Sequence, residues 1–203
     1  GGCRDQCVLR GLNLDHGTDL APRVDGVPVN MPSHGHGQGY TDINFVIPEL
    51  VSSIDYRKGT YYADTGNFSA AGAINMRYRN FNDTAIAELE AVEDNYGRAL
   101  LGMSPRVGNG TLLFGVEHSQ TDGPWLLDEN FRKTNALLRY SRETDVDYVA
   151  ITSQMYEGEW RSTDQIPLRL VRDGSLDRFG FIDPTDGGES HRYSISADWI
   201  SRR

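Results

Sequence analysis

The second half of the sequence alternates apolar and polar residues over segments of about ten residues, and this pattern limits the fold more than any other feature. The last segment is the clearest. Its apolar residues Tyr193, Ile195, Ala197 and Trp199 alternate with Arg192, Ser194, Ser196 and Asp198. Because successive side chains of a β-strand point to opposite faces, each segment predicts a strand with one apolar and one polar face.

Six such strands are predicted over residues 81–203, joined as three hairpins. The connections at 108–110 and 144–147 are tight turns, whereas those around Asp94, at 121–133 and at 158–188 grow longer along the chain. Short turns at one end and longer loops at the other are typical of bacterial outer-membrane barrels. A soluble β-sandwich gives similar alternation, and six strands cannot close a lipid-spanning barrel, which needs about eight. Either the rest of a barrel is missing or the strands belong to another fold.

Charge and hydropathy exclude two other classes of protein. The formal net charge of −9 argues against nucleic acid as the main partner, because phosphate binding favours a basic surface. No apolar run approaches the roughly 18 residues that a membrane helix needs, which argues against a helical membrane protein.

The first part of the chain is rich in Gly and Pro and carries four short motifs in a characteristic order. They are RG at 10–11, DGVP at 25–28, IDYRKG at 54–59 and GAIN at 72–75. A short helical turn limited by Pro48 is expected between the second and third motifs. Together these motifs resemble the plug domain of TonB-dependent outer-membrane receptors.

The resemblance implies a mainly β fold in two parts. Residues 1–80 would be the C-terminal part of an α+β plug domain, and residues 81–203 the first six or so strands of an incomplete antiparallel transmembrane β-barrel. The implied function is uptake of a scarce nutrient, such as a ferric siderophore or similar chelate, across the outer membrane of a Gram-negative bacterium. The TonB complex would drive it through a segment absent from this sequence. No bond is made or broken, so neither enzyme activity nor a cofactor is expected.

The resemblance also suggests contacts between the plug and the barrel wall. Arg10, Arg57, Lys58 and Arg77 are the candidates on the plug side. Lys58 departs from the family, which usually has Arg there, and an ammonium cannot form the forked contacts of a guanidinium. On the barrel side, charged residues are expected to face the lumen, since the lipid face excludes charge. They are Glu88, Glu90, Arg139 and Arg192.

A Gly-rich loop with two of the five histidines, NMPSHGHGQGY at 30–40, is the candidate ligand contact. In the family this connection forms part of the ligand-facing surface of the plug. Its glycines would let the backbone approach a ligand closely, while polar and aromatic side chains supply donors, acceptors and a stacking face. The candidate ligand-binding residues are Asn30, His34, His36, Gln38 and Tyr40, joined by His16 from the preceding connection.

Three alternatives to a ligand loop remain. Its residues could pack against the barrel wall without touching a ligand. They could bind a metal, although two histidines are too few for a closed site. The chain could instead be a soluble secreted or periplasmic β-rich metal-dependent hydrolase using His16, His34 and His36. If the chain is part of a transporter, the apolar face of the strands should point outward. If it is a soluble protein, this face should line a core. The residues that decide are Ala136, Leu138, Tyr140, Tyr193, Ile195, Ala197 and Trp199.

Overall fold

A computed structural model describes residues 7–9, 12–14, 19–32, 40–162 and 165–202. The chain divides into two compact units, with the division between Arg79 and Asn80. The part before the division is called the N-terminal unit and the part after it the strand unit. The assignment of these parts to a plug domain and a barrel segment stays a prediction.

The N-terminal unit is built on short strands. Strands β1 (Cys7–Leu9) and β2 (Leu12–Leu14) pair antiparallel. A four-stranded sheet follows, made of β3 (Leu20–Val24), β4 (Val27–Pro28), β5 (Val51–Lys58) and β6 (Gly72–Tyr78). Its order is β4-β3-β6-β5, and only the β3–β6 pair is parallel. The expected helical turn is a single 3₁₀ turn, Pro48–Leu50, and a second 3₁₀ turn covers Ala63–Thr65.

Two of the sequence motifs have clear structural causes in this sheet. Asp25 and Gly26 both have positive φ, 47° and 76°, which suits the two-residue turn that joins β3 to β4. The Asp25 carboxylate then accepts the backbone N–H of Tyr78 at 3.1 Å, which fixes the end of β6. Gly72 has φ +145°, and a Cβ there would lie 2.1 Å from the backbone oxygen of Arg57. Only glycine fits at the start of β6.

Apolar side chains from β3, β6 and the segment before β5 form the interior of the N-terminal unit. They include Leu20, Val24, Ile47, Leu50, Ala73 and Met76, all buried. This burial supplies the main favourable term for a small sheet of this kind.

The strand unit is one antiparallel sheet. Its strands are β7 (Ile86–Ala91), β8 (Gly97–Met103), β9 (Arg106–Val107), β10 (Gly110–Thr121), β11 (Phe131–Glu143), β12 (Asp147–Arg161) and β13 (Gly187–Ser201). The six long strands follow chain order, β13-β12-β11-β10-β8-β7, and short β9 pairs with the start of β10. The prediction of a mainly β fold with an unclosed antiparallel sheet is confirmed.

The connections alternate in length as expected. The turns before β10 and between β11 and β12 are short, and the loop between β12 and β13 is the longest. That loop contains a helix absent from the sequence prediction, α1 (Leu168–Arg172), which begins after Pro167. Among the described residues, no helix has the length and apolar character needed to cross a membrane.

Candidate functional site

The strand unit sorts its side chains into an apolar and a polar face. Strand register places residues of β10 to β13 side by side in rows across the sheet. One apolar row is Phe114, Leu138, Ser153 and Ile195, and the next is Leu112, Tyr140, Ile151 and Ala197. The surface made by these rows, with the flanking row Val116, Ala136, Met155 and Tyr193 and with Val149 and Trp199, is called the apolar face.

The apolar face is open to the outside of the chain. Leu138 is 48% exposed, Trp199 74% and Ile195 80%. Tyr193 and Ala197 are also exposed, and Ala136 and Tyr140 are half-buried. None of the seven deciding residues is buried, which is the arrangement expected for a transporter rather than a soluble core.

The opposite, polar face contains the buried charged and polar residues of the sheet. They include Glu117, Ser119, Asn135, Arg139, Ser141 and Thr152. Glu88, Glu90 and Arg192 lie on this face by register, as expected for residues directed away from lipid. The same face also buries apolar side chains, namely Leu100, Leu113, Leu137, Ala150 and Tyr156. A sheet that buries charged and polar groups on one face while it exposes large apolar side chains on the other is inverted relative to a water-soluble protein.

Glu117, only 1% exposed, is the centre of a charged cluster on the polar face. Its carboxylate accepts hydrogen bonds from Arg98 at 2.5 and 2.8 Å and from Asn135 at 3.1 Å. The Lys133 ammonium lies 2.9 Å away, and Arg98 also reaches Glu88 at 3.3 Å. A buried carboxylate is tolerated only with such partners, because an unpaired charge out of water is costly.

The apolar face ends in polar rows near the long connections. His118, Thr134, Glu157 and His191 form one row, followed by Gln120, Arg132, Glu159 and Glu189. His118 Nδ1 lies 3.0 Å from the Thr134 hydroxyl, and the Tyr193 hydroxyl donates to Glu157 at 2.5 Å. A groove of about 470 Å³ runs among them. The transition from apolar to polar residues is therefore sharp.

Two long connections of the strand unit are joined by backbone and aromatic contacts. Leu126 N–H donates to the Phe179 carbonyl at 3.0 Å, and the rings of Trp125 and Phe179 are 6.0 Å apart. The Arg178 guanidinium lies 5.7 Å from the Phe179 ring centre. These aromatic and cationic side chains, called the loop surface, were not among the predicted ligand residues. The signal was available, since both aromatics fall in the longer connections at one end of the sheet.

The structure describes the base of the predicted ligand loop. Met31 and Tyr40 form an antiparallel bridge, with N–O distances of 2.9 and 3.0 Å. Asn30 donates its side-chain amide to the Leu20 carbonyl at 2.7 Å, and the Tyr40 hydroxyl donates to Asp42 at 3.3 Å. The other candidates, His16, His34, His36 and Gln38, lie outside the described residues. Met31 and Tyr40 therefore hold the two ends of the loop side by side, and Asn30 attaches one of these ends to β3.

The predicted wall-contacting cations make contacts inside the N-terminal unit. Arg57 forms two hydrogen bonds with Asp64, at 2.8 and 2.9 Å, and lies 4.8 Å from the Tyr62 ring centre. The Arg57 hydrogen bond lowers the pKa of Asp64 below its ordinary value. Lys58 lies 5.4 Å from the Tyr56 ring centre, Arg77 is exposed, and Arg10 lies outside the described residues. Their contact with a barrel wall stays a prediction.

The hydrolase alternative gains no support from the described residues, where no group of three or more His, Cys, Asp or Glu side chains could hold a metal ion. Its three histidines, His16, His34 and His36, all lie outside those residues.

Comparison with known proteins finds a family match in the first part of the chain. Residues 1–73 match the family model described as TonB-dependent Receptor Plug Domain. No match was found among curated protein sequences. The fold resembles the siderophore receptor PiuA from Acinetobacter baumannii, with a TM-score of 0.60 at 18% identity over 81% of this chain and 22% of that one.

A second similar structure is the Q482A mutant of the ferric enterobactin receptor PfeA from Pseudomonas aeruginosa, in complex with enterobactin. The TM-score is 0.61 at 14% identity, over 90% of this chain and 31% of that one. The chain thus spans less than a third of each receptor, and at these identities the likeness shows a shared fold. Residues 1–73 therefore match the model of the TonB-dependent receptor plug domain, and the fold of the chain resembles part of such receptors.

Proposed function

We propose that the chain is part of an outer-membrane receptor that takes up a ferric siderophore or similar metal chelate, driven by the TonB complex. The observation that carries the proposal is the inverted strand unit, whose apolar face is exposed and whose polar face is buried. In water such a sheet would expose a large apolar patch, which soluble monomers avoid. Against lipid tails the same face is the favourable one.

The dimensions of the apolar face suit a bilayer. Neighbouring rows on one face are two residues apart, which is about 6.8 Å along a strand. Three rows, from Val116 to Leu112, therefore extend over about 14 Å between their first and last side chains. The next row, which contains Val149 and Trp199 but also the charged Arg142, extends this to about 20 Å. An outer-membrane barrel presents an apolar band about 25 Å tall, so the rows supply most of that height. The polar row of His118 and His191 would then lie at the headgroup level.

The polar face suits the lumen of a barrel. The Glu117 cluster keeps its charges paired, so this face can lie beside a plug or beside water without an isolated charge. The sheet edges at β7 and β13 would pair with further strands of the receptor, because unpaired backbone groups cannot stay in lipid.

The ligand would be bound on the side of the long connections. The loop surface of Trp125, Arg178 and Phe179 supports this location. The Gly-rich loop of the N-terminal unit, whose ends are bridged by Met31 and Tyr40, is proposed separately as a ligand contact. Aromatic and cationic groups suit an anionic chelate with an extended π-system. The two similar structures are a siderophore receptor and a receptor in complex with enterobactin, which supports this class of ligand. His16, His34, His36 and Gln38 remain proposed contacts.

Uptake of radiolabelled ferric siderophores tests the proposal. The complete receptor containing this chain is produced in a Gram-negative strain that lacks its own siderophore receptors, with a TonB-deficient strain as the control. We expect iron accumulation that requires TonB, and reduced ligand binding when His34 and His36 are both changed to Ala. A water-soluble product with a stoichiometric metal and hydrolase activity would replace the receptor proposal with the hydrolase alternative.

A further inference from the structure

Asn80, the first residue of the strand unit, is held by side chains of β11 and β12. Its side-chain oxygen accepts a hydrogen bond from Arg139 Nε at 3.2 Å and another from the Tyr148 hydroxyl at 2.9 Å. The Ser141 hydroxyl approaches the Asn80 backbone oxygen at 3.5 Å. The two lone pairs of the amide oxygen are therefore both used.

The Arg139 side chain is also held in place by hydrogen bonds to residues other than Asn80. Its other nitrogens donate to the Thr152 hydroxyl at 2.5 Å and to the Tyr148 hydroxyl at 2.9 Å. The residue is 4% exposed, so the guanidinium has left bulk water and depends on these acceptors. The rigid planar guanidinium donates to three acceptors at once. A lysine ammonium on a flexible side chain cannot reproduce this fixed geometry.

The next residues of the chain are held as well. The backbone N–H of Asn82 donates to the Ser104 hydroxyl at 2.8 Å. Asn80 and Asn82 are thus attached at two points to β11, β12 and the turn after β8. Arg79, just before them, is exposed.

We propose that Arg139 is a positioning residue that anchors the chain at Asn80, so that the sheet retains its own first residue during uptake. The part about uptake rests on the proposed function. The anchor itself rests only on the hydrogen bonds around Asn80.

Limited proteolysis of the complete receptor in detergent tests the anchor, because trypsin cleaves after Arg79 when the segment opens. Arg139→Met keeps the side-chain bulk and removes every donor, and Asn80→Ala removes only the acceptor. We expect each to raise the rate of cleavage at Arg79 by about tenfold, which corresponds to the loss of one to two hydrogen bonds. Asn80→Asp keeps the acceptor and should leave cleavage slow.

Arg142→Met is the matched control. Arg142 lies on the same strand but on the opposite face, where it pairs with Asp147 at 3.5 Å. It should leave cleavage at Arg79 unchanged. Equal cleavage rates in Asn80→Ala and the unmodified receptor, with the fold intact by circular dichroism, would overturn the anchor.

The uptake step has its own readout. Asn80→Ala should lower the rate of radiolabelled iron uptake while leaving siderophore binding to the receptor unchanged, and Asn80→Asp should restore uptake. A purely structural defect would lower both. Unchanged uptake in a variant that is cleaved faster would overturn the positioning role. Absence of uptake by the unmodified receptor would refute the proposed function instead, and the proteolysis result would still decide the anchor.

Discussion

At the scale of single residues, the sequence motifs are explained by backbone geometry in the N-terminal unit. Asp25-Gly26 makes a turn that needs positive φ, and Gly72 sits where any side chain would meet the backbone of β5. These two positions could be singled out from the sequence because glycine at a fixed place in a strand indicates a close approach. The bonds from Arg57 to Asp64 could not, since they depend on where the 3₁₀ turn at Ala63–Thr65 places the carboxylate.

The two glycines should differ in their cost on substitution. Gly72→Ala places a Cβ against the Arg57 oxygen at a φ that only glycine adopts easily, so we expect a loss of more than about 2 kcal/mol in unfolding free energy. Gly26→Ala is the control, because φ is +76° there but no atom lies within 4 Å of the added Cβ. It should cost about 1 kcal/mol. Urea unfolding curves measure both, and equal losses would contradict the steric explanation.

Asp64 should titrate at lower pH than an ordinary aspartate. The hydrogen bond from Arg57 lowers its pKa, so the interaction stabilises the fold above the unfolded-state pKa and is lost as pH falls through the lower folded-state pKa. We expect NMR titration of the Asp64 carboxyl to show a lowered midpoint that rises in Arg57→Gln. Lys58→Gln is the control, since Lys58 is on the same strand and lies over Tyr56. A midpoint unmoved by Arg57→Gln would refute the assigned cause.

At the scale of elements, alternation predicted the long strands because a side-chain period of two is a local property of the sequence. It missed β9 and α1, since two-residue and five-residue elements carry too little pattern. It predicted which face is polar but not which partners its charges choose. Glu117, Arg98 and Lys133 come from three strands, and only the strand register brings them together.

The Glu117 cluster should contribute strongly to the stability of the sheet. Glu117→Gln removes the charge that Arg98 and Lys133 share, and breaking a buried ion pair from one side costs about 3–5 kcal/mol. Glu143→Gln is the control, because the ion pair of Glu143 with Arg202 is largely exposed and should contribute about 0–1 kcal/mol. Thermal unfolding of the complete receptor in detergent compares them. Similar melting temperatures for both variants would show that the cluster is not a stabilising unit.

At the scale of the whole molecule, the two unlike faces of the sheet follow from the sequence, but which face is exposed and the surroundings that make it stable do not. Local alternation assigns Ile195 and Ser194 to opposite faces, and the structure confirms that the apolar one is exposed. Whether exposure is favourable depends on the solvent, which no residue pattern specifies. Likewise, Arg139 and Asn80 are 59 positions apart, and nothing near either residue indicates that they meet.

Substitutions at two adjacent residues of β13 test whether the apolar face of the sheet meets lipid or water. If the apolar face meets lipid, Ile195→Arg places a charge in the hydrocarbon layer at a cost of about 2–4 kcal/mol near mid-depth, and less membrane-inserted receptor results. Ser194→Arg points to the polar face and should insert normally. In a water-soluble protein the result would reverse, because an arginine at a position that is already 80% exposed costs almost nothing, whereas one at half-buried Ser194 is crowded. The heat-modifiable fraction in outer-membrane preparations measures insertion. If Ile195→Arg inserts less well than Ser194→Arg, the exposed apolar face meets lipid. The reverse order would show that it meets water.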